Sequence, residues 1–182
     1  METVSLDFMN SDWRDYRGGG GRADRLRDPK WLEAFLAQWD LDVAAPPAAK
    51  TFAALTELRD TLWHIVEATS RGRAPAEGDL DALNAALGAA TPRRQLEGDD
   101  GGFRIDLVPA KRDWEWVRSE IAADFAGLLV ERDPRRIKTC ENDDCRWVFY
   151  DESKSQSRRW CASVCSNLIR VRRFRERHRE SA

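Results

Sequence analysis

With 182 residues, of which 42% are hydrophobic and 34% charged, the chain has enough apolar material for the core of one ordinary domain, or one domain with a small appendage. A mean hydropathy of −0.64 and the lack of an apolar run near the roughly 18 residues a membrane helix needs exclude a membrane protein, and the first residues show no basic-then-apolar leader. A cytoplasmic location is therefore expected. The net charge of −2 hides an asymmetry: residues 1–134 carry 17 Lys/Arg and 25 Asp/Glu, whereas residues 135–182 carry 13 and 7. A small basic end on an acidic body points to a polyanion as partner of that end.

In chain order, residues 4–10 alternate Leu6 and Phe8, which predicts a short strand or extended segment. Gly18 to Gly21 reads as a surface loop, because the Lys-Ser/Thr that closes a phosphate loop is missing. Asp28-Pro29 opens a helix: Asp caps free amides and Pro suits the first helical position. Trp31, Leu32, Phe35, Leu36 and Trp39 give that helix one apolar face. Pro46-Pro47 interrupts the chain, and a second helix is predicted over 48–70 with Phe52, Leu55, Leu58, Leu62, Ile65 and Val66 inward. After a loop over 72–78, Asp79 begins a third helix carrying Leu80, Leu83 and Leu87.

Residues 94–96 and 103–108 flank a glycine-rich turn and predict a β-hairpin, with Phe103, Ile105 and Leu107 on one buried face. A last body helix over 111–131 presents Trp114, Val117, Ile121, Phe125 and Leu128. Asp133-Pro134 ends it and marks a domain boundary. Packed core accounts for these stripes, Trp114 and Trp116 included. His64 shares the polar side of its helix with Glu57 and Asp60 and reads as solvated. Asp7, Asp12 and Asp15 lack a partner base or metal spacing, so solvated or capping roles are expected. No nucleophile–base pair is visible, and an enzyme is not expected.

The four cysteines all lie in the basic end, as Cys140-x4-Cys145, fifteen intervening residues, then Cys161-x3-Cys165. In a reducing compartment such a quartet reads as a metal site before it reads as disulfides. Zn2+ takes four tetrahedral thiolates at about 2.3 Å, which places the sulfurs about 3.8 Å apart. Cys161 and Cys165 fall on one face of a helix start, and a polar turn folds Cys140 and Cys145 inward. Four protein ligands close the coordination, so the Zn2+ is structural and leaves no place for an activated water. Asp143, Asp144 and His178 are further donors, but four cysteines suffice; disulfides, free thiols or an iron–sulfur cluster are the alternatives.

Arginines surround this site. Arg158-Arg159-Trp160 leads into Cys161, and a helix over 163–179 is predicted, with Val164, Leu168, Val171, Phe174 and His178 as an apolar seam. Arg170, Arg173 and Arg177 form one row; Arg172, Arg175 and Arg179 form another. Arginine presents a planar fork of donors that matches phosphate and the guanine edge. Arg158, Arg159, Arg170, Arg172, Arg173 and Arg177 are the candidate nucleic-acid-binding residues. The alternative is that this helix docks on the acidic body.

At these residues the chain resembles the CGNR-type zinc-finger proteins, which pair an N-terminal ABATE domain with such a finger. The resemblance rests on Cys140, Cys145, Phe149, Asp151, Ser153, Arg158-Arg159-Trp160-Cys161 and Cys165. Leu6-Asp7-Phe8-Met9-Asn10 is similar to the family's opening motif, and Leu58-Arg59 with Leu62 and Leu83-Asn84 to later landmarks. The resemblance implies a bacterial, stress-responsive transcription regulator whose finger binds DNA. The family's naming tetrad reads Cys165-Ser166-Asn167-Leu168 here, so Ser replaces Gly and Leu replaces Arg. One candidate phosphate or base contact is lost, and Arg170 is placed to compensate.

The expected architecture is α+β: a mainly helical ABATE-like domain with a small β-hairpin at 1–134, and a treble-clef-like, four-cysteine zinc finger with a basic helix at 135–182. The expected partner is DNA, with RNA left open. The N-terminal domain then senses a small-molecule ligand or forms a homodimer. The rival reading keeps a small-molecule-binding N-terminal domain and makes the finger a structural or protein-interaction module without nucleic-acid binding.

Overall fold

In the computed structural model, which describes residues 1–43, 46–99 and 101–180, local capping starts the helices where polar side chains can reach free amides. Asp28 accepts from the Lys30 amide and Pro29 begins α2 (Pro29–Gln38). The long α3 (Ala49–Ser70) buries Leu55, Leu58, Leu62, Ile65 and Val66 at helical spacing. It is followed by α4 (Glu77–Leu87), which starts two residues before Asp79 and buries Leu83 and Ala86. Asp113 accepts from the Glu115 and Trp116 amides and starts α5 (Trp114–Glu131). Trp116 lies in the core of that helix, while Trp114 stays half-buried at its start. None of the described helices is long and apolar enough to cross a membrane.

The opening segment corrects the expectation of a strand. Residues Val4–Met9 form a short helix, α1, whose Thr3 cap accepts from the Leu6 amide. Val4, Ser5, Leu6, Phe8 and Met9 are all buried, because α1 is wedged against α3 and α5. A helix buried on nearly every side has no polar face, so its alternation of Leu6 and Phe8 carried no strand signal. The glycine run is the turn of a hairpin that the sequence pattern did not reveal, β1 (Asp12–Arg14) with β2 (Arg22–Asp24). Gly18 and Gly20 stand there at φ of +86° and +74°, a conformation that glycine adopts without steric cost.

The second hairpin forms as expected and runs longer, with β3 (Pro92–Asp99) pairing antiparallel to β4 (Gly102–Pro109). Asp100 of its turn lies outside the described residues. The expected burial is overturned: Leu96, Phe103, Ile105 and Leu107 share one face and are 65%, 84%, 66% and 68% exposed. The alternation is real, but no other helix or strand of the described chain packs extensively on this ribbon.

A third hairpin, β5 (Ile137–Thr139) with β6 (Val148–Tyr150), and a final helix, α6 (Ser163–Glu180), complete the chain. Ile137 and Val148 belong to the same buried cluster as α3 and α5. A second cluster gathers Cys140, Cys145, Phe149 and Cys165 with Tyr16, Trp147, Trp160 and Cys161 around it. The seam expected along α6 is largely open to solvent, with Val164, Val171 and Phe174 about half exposed. Cys165 instead anchors this helix, and Leu168 and Ile169 are half-buried beside it.

Candidate metal centre and basic surface

Two cysteines come from the loop of the β5–β6 hairpin, Cys161 from the segment just before α6 and Cys165 from its first turn. The Sγ atoms of Cys140, Cys145, Cys161 and Cys165 all lie within 4.8 Å of one another. Cys145 to Cys161 and Cys161 to Cys165 measure 3.7 Å each, close to the sulfur spacing of a tetrahedral thiolate site. All four are free thiols, so the disulfide alternative is gone. Hydrogen bonds from Cys145 and Cys161 hold the Cys140 thiol down to about 2, and the thiolate so formed pushes Cys145 up to about 12 and Cys161 upward as well. Without a metal the sulfurs can only share protons in this way; a cation among them would take the place of those protons, and the spacing suits four metal-bound thiolates. The donor set therefore fits one structural Zn2+, held by Cys140, Cys145, Cys161 and Cys165. Asp144 accepts from Arg172 instead, and His178 Nδ1 lies 2.9 Å from the Phe174 carbonyl oxygen.

The loop around the sulfurs is shaped by polar side chains that the sequence did not single out as site residues. Asn142 is fully buried between the first two cysteines. Its Nδ2 donates to the Tyr16 carbonyl at 2.8 Å and lies 3.7 Å from Cys165 Sγ. The Cys140 amide donates to the Trp147 carbonyl at 2.8 Å and the Cys145 amide to the Asn142 carbonyl at 2.8 Å. An Asn inside a tight Cys-x4-Cys turn was the one available signal.

Asp151 braces the approach to Cys161. It is wholly enclosed and accepts from Lys138 Nζ at 2.8 Å and from the Ser153 and Arg158 amides at 2.9 and 3.0 Å. Burial alone would raise its carboxyl, but these donors outweigh it and hold the group well below the usual carboxylate range. Lys138 also donates to the Gln156 carbonyl at 2.5 Å, which fixes the loop carrying Arg158 and Arg159.

The six candidate arginines do not share one environment. Arg170, Arg173 and Arg177 line a shallow groove with Trp160, Ser166 and Ile169. Arg158 and Arg159 line its neighbour, which shares Trp160 and Ser166. The structure thus brings those five onto one surface, around Trp160. Arg159 pairs with Glu141 and lies 5.1 Å over the Trp160 ring, and Arg158 lies 4.7 Å over Phe149. Arg172 is turned the other way. It pairs with Asp144 at 2.7 Å and donates to the Arg17 carbonyl at 2.6 Å, tying α6 to the glycine turn. A Cβ added at Gly18 would stand 2.6 Å from Arg172 Nη2 and 2.9 Å from Asp144 Oδ2, so that pair would have to shift, and the φ of +86° itself favours glycine.

The body holds its own polar and apolar features. Arg59 is buried and donates to Ser11 Oγ and Asp24 Oδ1, both at 2.7 Å. Asp7 accepts from Trp39 Nε1 and Asp12 pairs with Arg22, while Asp15 accepts from the Arg17 amide. These aspartates hold structure and do not assemble into an acidic site. His64 is exposed beside Asp79. An apolar pocket of about 510 Å3 opens among Leu26, Leu32, Leu36, Phe52 and Trp114. A more polar groove of about 610 Å3 runs between α3 and the finger, where Arg146 lies 4.5 Å over Trp63.

Two family descriptions match this chain. Residues 2–132 match ABATE, described as "Putative stress-induced transcription regulator", and residues 136–178 match the CGNR zinc finger. No curated protein matches it. The two matches meet at the short stretch between α5 and β5, and the second encloses all four cysteines. Since the first match spans well over half of its residues, the chain belongs to the ABATE family and carries a CGNR zinc finger at its C-terminal end.

Proposed function

We propose that this protein is a transcription regulator whose zinc finger, residues 135–182, grips DNA while the body, residues 1–134, carries the regulatory input. The observation that carries this reading is the gathering of Arg158, Arg159, Arg170, Arg173 and Arg177 around Trp160 on one exposed surface. Four thiolates and one Zn2+ add −2 to the finger's +6, leaving about +4 to meet phosphates. Arg172 is occupied by Asp144 and orients α6. The cysteines hold the scaffold and touch no base.

The test is a salt-titrated binding assay of zinc-loaded protein against random duplex DNA and RNA. About five phosphate contacts, with Arg159 exchanging Glu141 for a phosphate, give a log–log salt slope of about −4.5 on duplex DNA. Charge reversal at Arg170 and Arg173 weakens binding to all sequences. Binding that ignores salt, or survives that reversal, overturns the reading.

A second reading is favoured by the apolar pocket between α2, α3 and Trp114. There the body binds an apolar small molecule and the finger is a packing module, docked through Arg172. Its mark is a ligand-dependent rise in Tm that Leu36→Arg removes, in a protein with no salt-dependent affinity for nucleic acid.

A further inference from the structure

A two-stranded ribbon is marginal by itself in water and becomes stable when one face is covered. The β3–β4 register places Arg94 opposite Leu107, Leu96 opposite Ile105 and Gly98 opposite Phe103, all on one face. On the other face Arg104 pairs with Glu97 and with Asp106. The ribbon has therefore sorted apolar from charged residues as a half-buried sheet does. Its apolar face is nonetheless bare, with its four large side chains at least 65% exposed.

We propose that this face seats the same face of a second copy of the chain, so that the protein is a homodimer joined through its ribbons. Area is the first argument. At these exposures the four side chains present about 500 Å2, so two copies that cover them fully remove about 1,000 Å2 from water, the lower threshold of a specific interface. Flanking Arg94 and the strand ends Pro92 and Pro109 add to it.

Self-complementarity is the second argument. A two-fold axis that lays the ribbons antiparallel sets the Leu96–Ile105 level of one copy on that of the other. The Arg94–Leu107 level then meets the Gly98–Phe103 level. Among the described residues Arg94 is the one charge on this face, and it meets the Phe103 ring of the second copy, a favourable cation–π partner. The two Arg94 side chains stand at opposite ends and do not repel. Gly98 keeps the tip flat. The Phe103 ring lies across it, and a Cβ there would come within 3.1 Å of ring atoms. Among the described residues of the apolar face there is no carboxylate, so the pairing of those residues buries no unpaired acid.

The experiment is sedimentation equilibrium of the zinc-loaded full chain between 1 and 50 μM, on wild type and three variants. The expected result is a wild-type dimer whose dissociation constant rises about 100-fold in Ile105→Asp. Ile105→Thr keeps strand propensity and raises it about 10-fold. Gln95→Ser, on the polar face, leaves it unchanged. Far-UV circular dichroism and zinc content report that each variant is folded. A wild-type monomer at 50 μM overturns the proposal and assigns the face to a different partner. A dimer unaffected by Ile105→Thr overturns it too, and points to the exposed stripe of α6. The oligomeric readout involves no nucleic acid, so its outcome is independent of the DNA-binding reading.

Discussion

Asn10 and Val148 lie 138 residues apart and exchange two hydrogen bonds: Asn10 Nδ2 donates to the Val148 carbonyl at 3.0 Å, and the Val148 amide donates to Asn10 Oδ1 at 2.8 Å. The side-chain amide thus satisfies both backbone groups of one β6 residue, as a neighbouring strand would. It joins the end of α1 to the hairpin that presents Cys140 and Cys145. Asn10→Ala leaves a buried donor and a buried acceptor unpaired, which costs about 2–4 kcal/mol. Urea denaturation of the zinc-loaded protein measures it; a loss below about 0.5 kcal/mol would mean that water replaces the amide.

Zinc removal should act locally first. The finger's own apolar cluster is small, and apparent zinc-binding energies in finger peptides are roughly 10–16 kcal/mol. A strong chelator is therefore expected to raise amide exchange across residues 140–162 and at the start of α6, while α3 and α5 stay protected. Because Ile137 and Val148 sit in the body core, Tm of the body should also fall by several degrees. Any single Cys→Ser change at the quartet should reproduce this, with metal content dropping from one equivalent of zinc per chain.

Acid should destabilise the finger through Asp151. Its folded carboxyl is held below the unfolded value, so its contribution is present above about pH 4 and is lost as pH falls through the folded value. Asp151→Asn removes that dependence and leaves Lys138 without its carboxylate. Stability measured from about pH 6 downward should therefore fall less steeply in Asp151→Asn than in wild type below about pH 4. Parallel acid limbs would show that Asp151 does not supply the linkage.

Buried Arg59 clasps Asp24 with two hydrogen bonds, at 2.7 and 3.2 Å, and ties α3 to the end of β2. Arg59→Met leaves the Asp24 carboxylate with the Leu26 amide at 3.3 Å, Arg27 at 3.9 Å and the charge of Arg22 as weaker partners. Breaking a fully buried pair from one side costs about 3–5 kcal/mol, and the partial exposure of Asp24 brings the expected loss to about 1–3 kcal/mol. The double variant Arg59→Met with Asp24→Leu should recover part of that loss, and chemical denaturation would read both. No recovery would place the cost in lost packing instead.

The two rows of α6 should separate in a binding assay. Arg172→Ala removes a partly exposed pair with Asp144, which costs at most about 1 kcal/mol of stability and leaves the salt slope unchanged. Arg170→Ala with Arg173→Ala should reduce the steepness of that slope by about 1.8 and leave Tm alone. Equal slopes for the two variants would mean that α6 does not face the phosphates through its Arg170 row.

What the sequence determined by itself was whatever a short spacing or one helical period records. Cys140, Cys145, Cys161 and Cys165 were legible because tetrahedral thiolate coordination demands few sulfurs at short, turn-compatible spacings. The faces of α2 and α3 and most of α5 were legible because burial on one side imposes a 3.6-residue period. The hairpin over 92–109 was legible in its pairing, yet not in its exposure: alternation records that one face is apolar, not what lies against it.

Tertiary structure alone decided the rest. Buried on nearly all sides, α1 shows no period; Asn10 and Arg59 find partners 138 and 35 residues away. Arg172 and Arg173 are neighbours in sequence, but one pairs with Asp144 and the other lies along the Trp160 groove. Successive helix positions point about 100° apart, so what an arginine meets depends on which surface the fold places beside it.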